Sequence, residues 1–387
     1  PWTPTGNAAY TMGSMSTGEN GGPAVGPEVA RPAVFGIGNP LIDVVIQASD
    51  EDLTALELDK GIMHLVNEDR QQEILEYFAE APRTYRPGGA APNTLIALAG
   101  LGVPSVVCGK IGDDEFGRTY NQQVAAYGIT SRLMQGSGAT GSSIILVTPD
   151  GERTMNTHLG MCQEFGIGDL DEELLHRSRF LYFTGYMWDT EVQKAAIRRA
   201  LKVAHQAGVT VAFDLADPFA VERYREDFLQ LLQDDVDIVF ANRTEAEILY
   251  GSEDPDRLAE ALGRHVQIAA LKVGKDGSLV TERAGAAEHA GATEHAGATE
   301  PAAPTAASGA APLVTAVAGR PIRAVDSTGA GDMFAAGFLA ALAHGSDPVH
   351  ASRAAGWLAE EIIQQVGAQF TVEHITRLRG ELAATTD

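Results

Sequence analysis

The sequence predicts an α/β protein: a mostly parallel central sheet flanked by helices on both faces, with a small β-sheet lid. Three observations carry that reading. Buried-strand segments alternate with helical runs of about 10–15 residues through the second half of the chain. Polar residues recur directly after those strands, at the edge where open parallel sheets hold ligands. Two other stretches break the alternation with strand-like patterns, which predicts strands outside the helix-covered sheet.

Taken in order, Val34-Phe35-Gly36-Ile37 reads as a buried strand, 95–101 as a helix and 105–108 as the next strand. A helical run over 192–206, closed by Gly208, leads to a strand at 209–213. Gly there suits the left-handed residue that ends a helix. Further helices lead to strands at 236–240 and 268–271. A helix opening near Gly331 runs to Leu342, and a last long helix spans about 351–366. The lid strands are expected from about 43–66 and 133–160, where Ser142-Ser143-Ile144-Ile145-Leu146-Val147 is typical.

The chain has 387 residues, two to three times a ~150-residue domain. One large domain over 31–383 is expected, with 44% hydrophobic residues to fill its core. Lys and Arg number 28 against 52 Asp and Glu, a net charge of −24. That excess argues against coating nucleic acid or an anionic membrane, so neither is an expected partner. Cys108 and Cys162 are the two cysteines, with no zinc-ligand spacing, and they suit a reducing cytoplasm. The apolar stretch 333–343 is far short of the ~20 residues that span a bilayer. No secretory leader is read at the start, so Asn242-Arg243-Thr244 is not expected to carry a glycan. Residues 1–30 read as a disordered tail. Residues 284–312 read as a low-complexity insertion at a loop tip, with Glu288-His289-Ala290-Gly291-Ala292-Thr293 nearly repeated once. Insertions of that kind are tolerated because loop-closure entropy grows slowly with length.

Polar residues follow three strands: Asp214 and Asp217, then Asn242 and Glu245, then Lys272 and Gly274. Helix capping accounts for Asp217 before Pro218; Asn242 with Glu245 reads as functional. The richest segment is Asp326-Ser327-Thr328-Gly329-Ala330-Gly331-Asp332-Met333-Phe334, leading into the apolar helix. Small residues before a helix leave N–H groups uncovered, and the helix dipole adds positive potential there, which suits a phosphate. Asp332 would sit beside that cradle, where a carboxylate takes a proton from an attacking hydroxyl. Gly136-Ser137-Gly138-Ala139-Thr140-Gly141 has dinucleotide-site spacing but leads into a strand, so it is set aside.

Four motifs in order resemble the ribokinase/PfkB family of carbohydrate and nucleoside kinases, over about residues 34–370. They are Arg86-Pro87-Gly88-Gly89-Ala90-Ala91-Pro92-Asn93 with the Gly109–Gly117 stretch after it, Asn242-Arg243-Thr244-Glu245, Lys272-Val273-Gly274-Lys275-Asp276-Gly277, and the 326–334 string. The resemblance implies a ribokinase-like fold and a phosphotransferase using ATP and Mg²⁺. It implies Asp332 as general base, and Gly329, Ala330 and Gly331 as an anion hole. Asn242 and Glu245 would organise Mg²⁺ largely through water. Lys272, Gly274, Gly277 and Thr328 would face the nucleotide. Asp326 and Thr328 match a region where many members bind a monovalent cation such as K⁺ through carbonyls.

Within the family the chain is similar to adenosine kinases. Gly38-Asn39-Pro40-Leu41-Ile42-Asp43 resembles their opening, with Asp43 holding two ribose hydroxyls and Asn39 beside it. Gly88, Gly89 and Asn93 match sugar-binding positions, while Ala90 stands where ribokinase carries Gly-Gly-Lys. Arg153 resembles an arginine that approaches phosphate and is counted as catalytic. Tyr186 reads equally as a base-stacking ring or as core. Phosphorylation of a nucleoside 5′-hydroxyl, adenosine foremost, with a place in purine salvage, is the expectation. A kinase of ribose, fructose or a related sugar is the alternative, and a non-catalytic nucleotide-binding regulator is another. Monomer and homodimer are both open.

Overall fold

A computed structural model describes residues 32–283 and 312–385 of the chain. The expected tail, and the expected insertion up to residue 311, lie outside the described residues. Among the described residues, nine strands form the main sheet and five a smaller one. The main sheet contains β1 (Val34–Ile37), β5 (Ser105–Gly112), β6 (Thr130–Gly136), β9 (Phe180–Thr184), β10 (Thr210–Asp214), β11 (Ile238–Asn242), β12 (Ile268–Lys272), β13 (Ser278–Glu282) and β14 (Leu313–Val317). The smaller sheet contains β2 (Leu41–Gln47), β3 (Met63–Leu65), β4 (Arg83–Gly88), β7 (Ser142–Val147) and β8 (Arg153–His158).

The main sheet runs in the order β14-β13-β12-β11-β10-β9-β1-β5-β6. Its members from β6 to β12 pair in parallel, and β13 and β14 add an antiparallel edge. Parallel strands must be covered on both faces, and these are: β1 and β9 are buried throughout. The strands flanking 283–312 pair antiparallel, with Glu282 opposite Leu313.

The smaller sheet runs β3-β8-β7-β2-β4. Two details differ from the expected lid. β4 comes from Arg83–Gly88, outside both expected stretches, because its antiparallel register with β2 sets Asp43 opposite Arg86. Thr130–Gly136, which overlaps the start of the expected 133–160 stretch, pairs with β5 and belongs to the main sheet.

The helix Ala330–Ala343 is apolar on every side, with Met333 through Leu342 buried. Such a helix needs neighbours all round. It has them in the sheet and in the helices Ala90–Gly100 and Pro348–Ile362. Phe240 meets Phe338 edge-on at 5.3 Å, and burying a ring of that size contributes roughly 1.5–3 kcal/mol. A further helix, Val372–Thr385, follows the one expected to be last. No described helix is long and apolar enough to cross a membrane.

Candidate active site

Three successive strands end on a polar residue: β10 on Asp214, β11 on Asn242 and β12 on Lys272. Parallel register sets Asn242 beside Lys272, so their side chains emerge together at the carboxyl edge. Above that edge lies a cleft of about 1850 Å³. A single small-molecule pocket occupies about 300–1,000 Å³, so this one has room for two ligands.

The cleft is lined by Gly274, Gly277, Gly319, Arg353 and Trp357 and also by Asn39, Asp43, Gly89, Tyr186 and Phe219. Asn93, Asn242, Glu245, Lys272, Thr328, Gly329, Ala330, Gly331 and Asp332 also line it. The four sequence motifs therefore converge on one space. Gly88 does not line it but packs beneath Asp43: a Cβ there would lie 2.7 Å from the Asp43 carboxylate.

Gly329 caps the helix Ala330–Ala343 at φ +80°. A side chain there would be strained, and its Cβ would lie 2.7 Å from Ala368 Cα. No side chain caps this helix, so its first-turn amides stay available to an anion. Ala330 N–H is the exception, donating to the Ser327 carbonyl at 3.2 Å. Lys272 Nζ approaches the same turn: a Cβ on Gly331 would lie 3.4 Å from it.

Asp332 stands in that first turn and accepts from Asn93 Nδ2 at 2.8 Å. Its backbone carbonyl accepts from Thr94 Oγ1 at 3.1 Å, tying the turn to the helix Ala90–Gly100. Burial raises the Asp332 carboxyl to about 7, with Asp214 and Asp43 adding to the rise while Asn93 and Lys272 oppose it. Burial likewise raises Asp43 to about 7 against the pull of Arg153 and Arg86. Carboxyls tuned near neutrality suit proton acceptance at physiological pH.

Lys272 is held 3.2 Å from Asp214. Burial pushes its ammonium down, but Asp214 and Glu245 outweigh this and keep it above its ordinary value. Asn242 and Glu245 form a capping box, with Glu245 Oε1 accepting from Asn242 Nδ2 at 2.6 Å and Oε2 from Asn242 N at 2.7 Å. Capping and cleft-lining coexist here, so the two readings of this pair are not exclusive. Burial raises the Glu245 carboxyl, and Lys272 draws it back.

Among the described residues, no three His, Cys, Asp or Glu are placed to hold a metal alone. The oxygens of Asn242 and Glu245 fit Mg²⁺, which keeps water in its shell and takes few protein ligands. A monovalent cation on the Asp326 side chain does not fit. Asp326 Oδ1 accepts from Thr328 N at 2.9 Å and Thr328 Oγ1 at 2.6 Å, and Oδ2 from Gly367 N at 2.8 Å and Arg153 Nη1 at 2.6 Å. These contacts occupy the side chain and do not involve the backbone carbonyls of the region. Arg153 itself, expected to face phosphate, is committed to Asp326 and does not line the cleft.

Tyr186 is 37% exposed, which removes the core-packing reading, and its hydroxyl donates to Asp217 Oδ2 at 3.0 Å. Asp217 also caps its helix through Phe219 N at 2.7 Å. Sequence reasoning missed Phe219, a 76% exposed ring in the cleft wall. Its place two residues after Asp217, in the first turn of the helix Pro218–Arg223 that follows β10, was the available signal.

The sequence matches the profile described as pfkB family carbohydrate kinase over residues 79–375. The chain is similar to an ATP-dependent ribose-1-phosphate kinase of Halopiger xanaduensis, 30% identical over 65% of this chain and 72% of that protein. It is similar to an adenosine kinase of Dictyostelium discoideum, 27% identical over 86% of this chain and 94% of that one. Among solved structures it resembles the adenosine kinase from Sinorhizobium meliloti, at 35% identity and TM-score 0.75, covering 91% of this chain and 100% of that one. With the family profile spanning most of a ribokinase-like fold, the chain belongs to the pfkB family of carbohydrate and nucleoside kinases, phosphotransferases with an alcohol group as acceptor.

Proposed function

We propose that this kinase transfers the γ-phosphoryl group of ATP to the primary 5′-hydroxyl of a ribonucleoside, adenosine foremost. The observation that carries the acceptor class is the apolar lining that shares the cleft with Asp43: the rings of Phe219 and Tyr186, and Met63, Leu65, Ile145 and Met155 from the smaller sheet. A free sugar presents hydroxyls all round and leaves such a surface unmatched. A nucleoside offers one apolar, stackable base and one polyol, and the cleft has a surface for each.

In this reading Asp43 accepts the ribose 2′- and 3′-hydroxyls, and Asn39, Gly89 and Asn93 frame the ring. Asp332 takes the proton of the 5′-hydroxyl as its oxygen attacks the γ-phosphorus, while the bond from phosphorus to the β–γ bridging oxygen breaks and ADP leaves. Charge on the migrating group faces Lys272 and the first-turn amides at Gly329–Asp332, and donors aimed in this way typically supply about 10²–10³ in rate. Mg²⁺ bound near Asn242 and Glu245 would neutralise phosphate charge. Gly274 and Gly277 leave the backbone close to the nucleotide. Arg153 serves as a tether between the smaller sheet and the loop that leads into the helix Ala330–Ala343.

The test is an ADP-release screen with adenosine, other nucleosides, ribose, fructose and ribose 1-phosphate. Highest kcat/KM on a nucleoside supports the proposal. Highest kcat/KM on an acceptor without a base removes it, and ATP binding with no ADP release on any acceptor points to a non-catalytic nucleotide-binding regulator.

A further inference from the structure

A second buried amide stands behind the Asn93–Asp332 contact. Gln369 follows the turn that supplies Gly367 N–H to Asp326, and it is 9% exposed. Its Nε2 donates to Asn93 Oδ1 at 2.7 Å and to the Pro87 carbonyl. Asn93, 6% exposed, passes the polarity on by donating Nδ2 to Asp332 Oδ2 at 2.8 Å.

The direction of this chain is fixed at its far end. A peptide carbonyl can only accept, so Pro87 requires the NH₂ end of Gln369. That NH₂ then faces Asn93, which must answer with its oxygen. Asn93 is left with only N–H groups for Asp332. Turning Asn93 over would set two NH₂ groups against each other in a buried place, and turning Gln369 as well would set two carbonyl oxygens together at Pro87. The adjoining void is only about 10 Å³, at the lower limit for a single water, and Ile96, Ala97, Met333, Phe370 and Ile375 wall it beside Asn93, Gln369 and Tyr127.

We propose that Gln369 is a positioning residue: it locks the Asn93 amide with N–H toward Asp332 and so keeps that carboxylate in the charged form that accepts the acceptor's proton. This rests on the reading of Asp332 as the base. Other groups facing Asp332 are Lys272 of β12, which favours its charge, Asp214 of β10 and Asp43 of β2, which oppose it, and the hydroxyls of Tyr182 and Tyr186. None of these touches Gln369, so a Gln369 variant isolates the amide chain.

The experiment is the pH profile of kcat/KM for the native enzyme, Gln369→Met, Asn93→Leu, Gln369→Met/Asn93→Leu and Asp332→Asn. Met fills the same volume without a donor. The expected result for Gln369→Met is an acid limb moved up by about one pH unit, so activity falls roughly tenfold at pH 6 and little at pH 9, with KM for ATP unchanged. In the Asn93→Leu background the same change should move nothing further. A Gln369→Met profile lowered in parallel at every pH, or a shift that persists without Asn93, overturns the proposal. Should Asp332→Asn keep the native turnover and acid limb, the base assignment fails; if it is inactive while Gln369→Met leaves the limb in place, only the role of Gln369 fails. Should Gln369→Met not fold, the side-chain ¹⁵N amide signals of the native protein decide. Asn93 and Gln369 should titrate together with one midpoint, and a Gln369 signal indifferent to that titration overturns the proposal.

Discussion

Arg153 Nη1 lies 2.6 Å from Asp326 Oδ2, joining β8 of the smaller sheet to the loop that leads into the helix Ala330–Ala343. The two residues are 173 apart in sequence. Both side chains are largely buried, at 14% and 12% exposure, so the pair is not a solvent-screened surface contact. It couples the position of the acceptor-side sheet to the turn that carries Gly329 and Asp332.

Removing the charge at Asp326 should therefore loosen the fold in a pH-dependent way. Burial alone would raise the Asp326 carboxyl, but Thr328, Gly367 and Arg153 together hold it below its ordinary value. A depressed folded value contributes stability that is fully present above the unfolded value of about 3.9 and is lost as pH falls through the folded one. Asp326→Asn is expected to melt several degrees below the native protein at pH 7, with the gap closing below about pH 4. Thermal unfolding across that range checks it; a gap independent of pH would show that the charge contributes nothing.

The same pair bears on salts. With Asp326 already satisfied by four donors, its side chain has no oxygen left to recruit K⁺. Steady-state turnover should be the same in KCl and in tetramethylammonium chloride at equal ionic strength. Activation by K⁺ of tenfold or more would mean that backbone carbonyls of this region hold a cation without the Asp326 side chain.

Asp332 gives the next prediction. Asp332→Asn should lower kcat by about 10²–10⁴, with nucleotide affinity retained, since only the proton acceptor is lost. Native kcat/KM should fall with decreasing pH below about 7, where burial places this carboxyl. The stability effect has the opposite sense to that at Asp326. A folded value raised above the unfolded one favours the fold below about pH 4 and loses that contribution as pH rises through about 7. Asp332→Asn should then be more heat-stable than the native enzyme at pH 8. Equal stability there would mean that the charged carboxylate is not strained by its surroundings.

How much of this was written in the sequence depends on the range of the interaction. The helix start at Gly329–Asp332, the strand ends at Asn242 and Lys272 and the cap at Asp217 are local, because a few neighbouring residues decide them. The smaller sheet was legible as extra strands, but β4 was not. Arg83-Thr84-Tyr85-Arg86 alternates no apolar face, and pairing with β2 alone makes it a strand. Arg153 was read toward phosphate because nothing local announces a partner 173 residues away. Gln369 was invisible for the same reason: one amide in a loop has meaning only once Pro87 and Asn93 are beside it.

Lys272 tests the charge side of the cradle. Lys272→Met removes the cation beside Gly331 and leaves Asp214, 3% exposed, as a buried carboxylate without its partner. Breaking such a pair from one side costs about 3–5 kcal/mol. The variant should melt well below the native protein, and Lys272→Met/Asp214→Leu should recover much of that loss. Turnover should stay low, by about 10²–10³, in both, because neither restores positive charge at the helix start. Stability and rate are thereby separated; a double variant regaining rate together with stability would show that Lys272 acts only through the fold.

Phe219 separates the two acceptor classes. Its ring is 76% exposed in the cleft wall, a costly placement for a phenyl group unless a ligand covers it. Tyr186 Oη donates to Asp217, which also accepts from Phe219 N, so the two residues share one carboxylate. Stacking of a base on an aromatic ring is worth about 1–3 kcal/mol, which converts to roughly 5- to 150-fold in binding. Phe219→Ala should raise KM for adenosine within that range and leave kcat close to native, since the proton acceptor and the phosphate cradle are untouched. KM for ribose, which has no base to stack, should not change. An equal loss on both acceptors would assign Phe219 to the shape of the cleft, and the apolar compartment would cease to argue for a nucleoside.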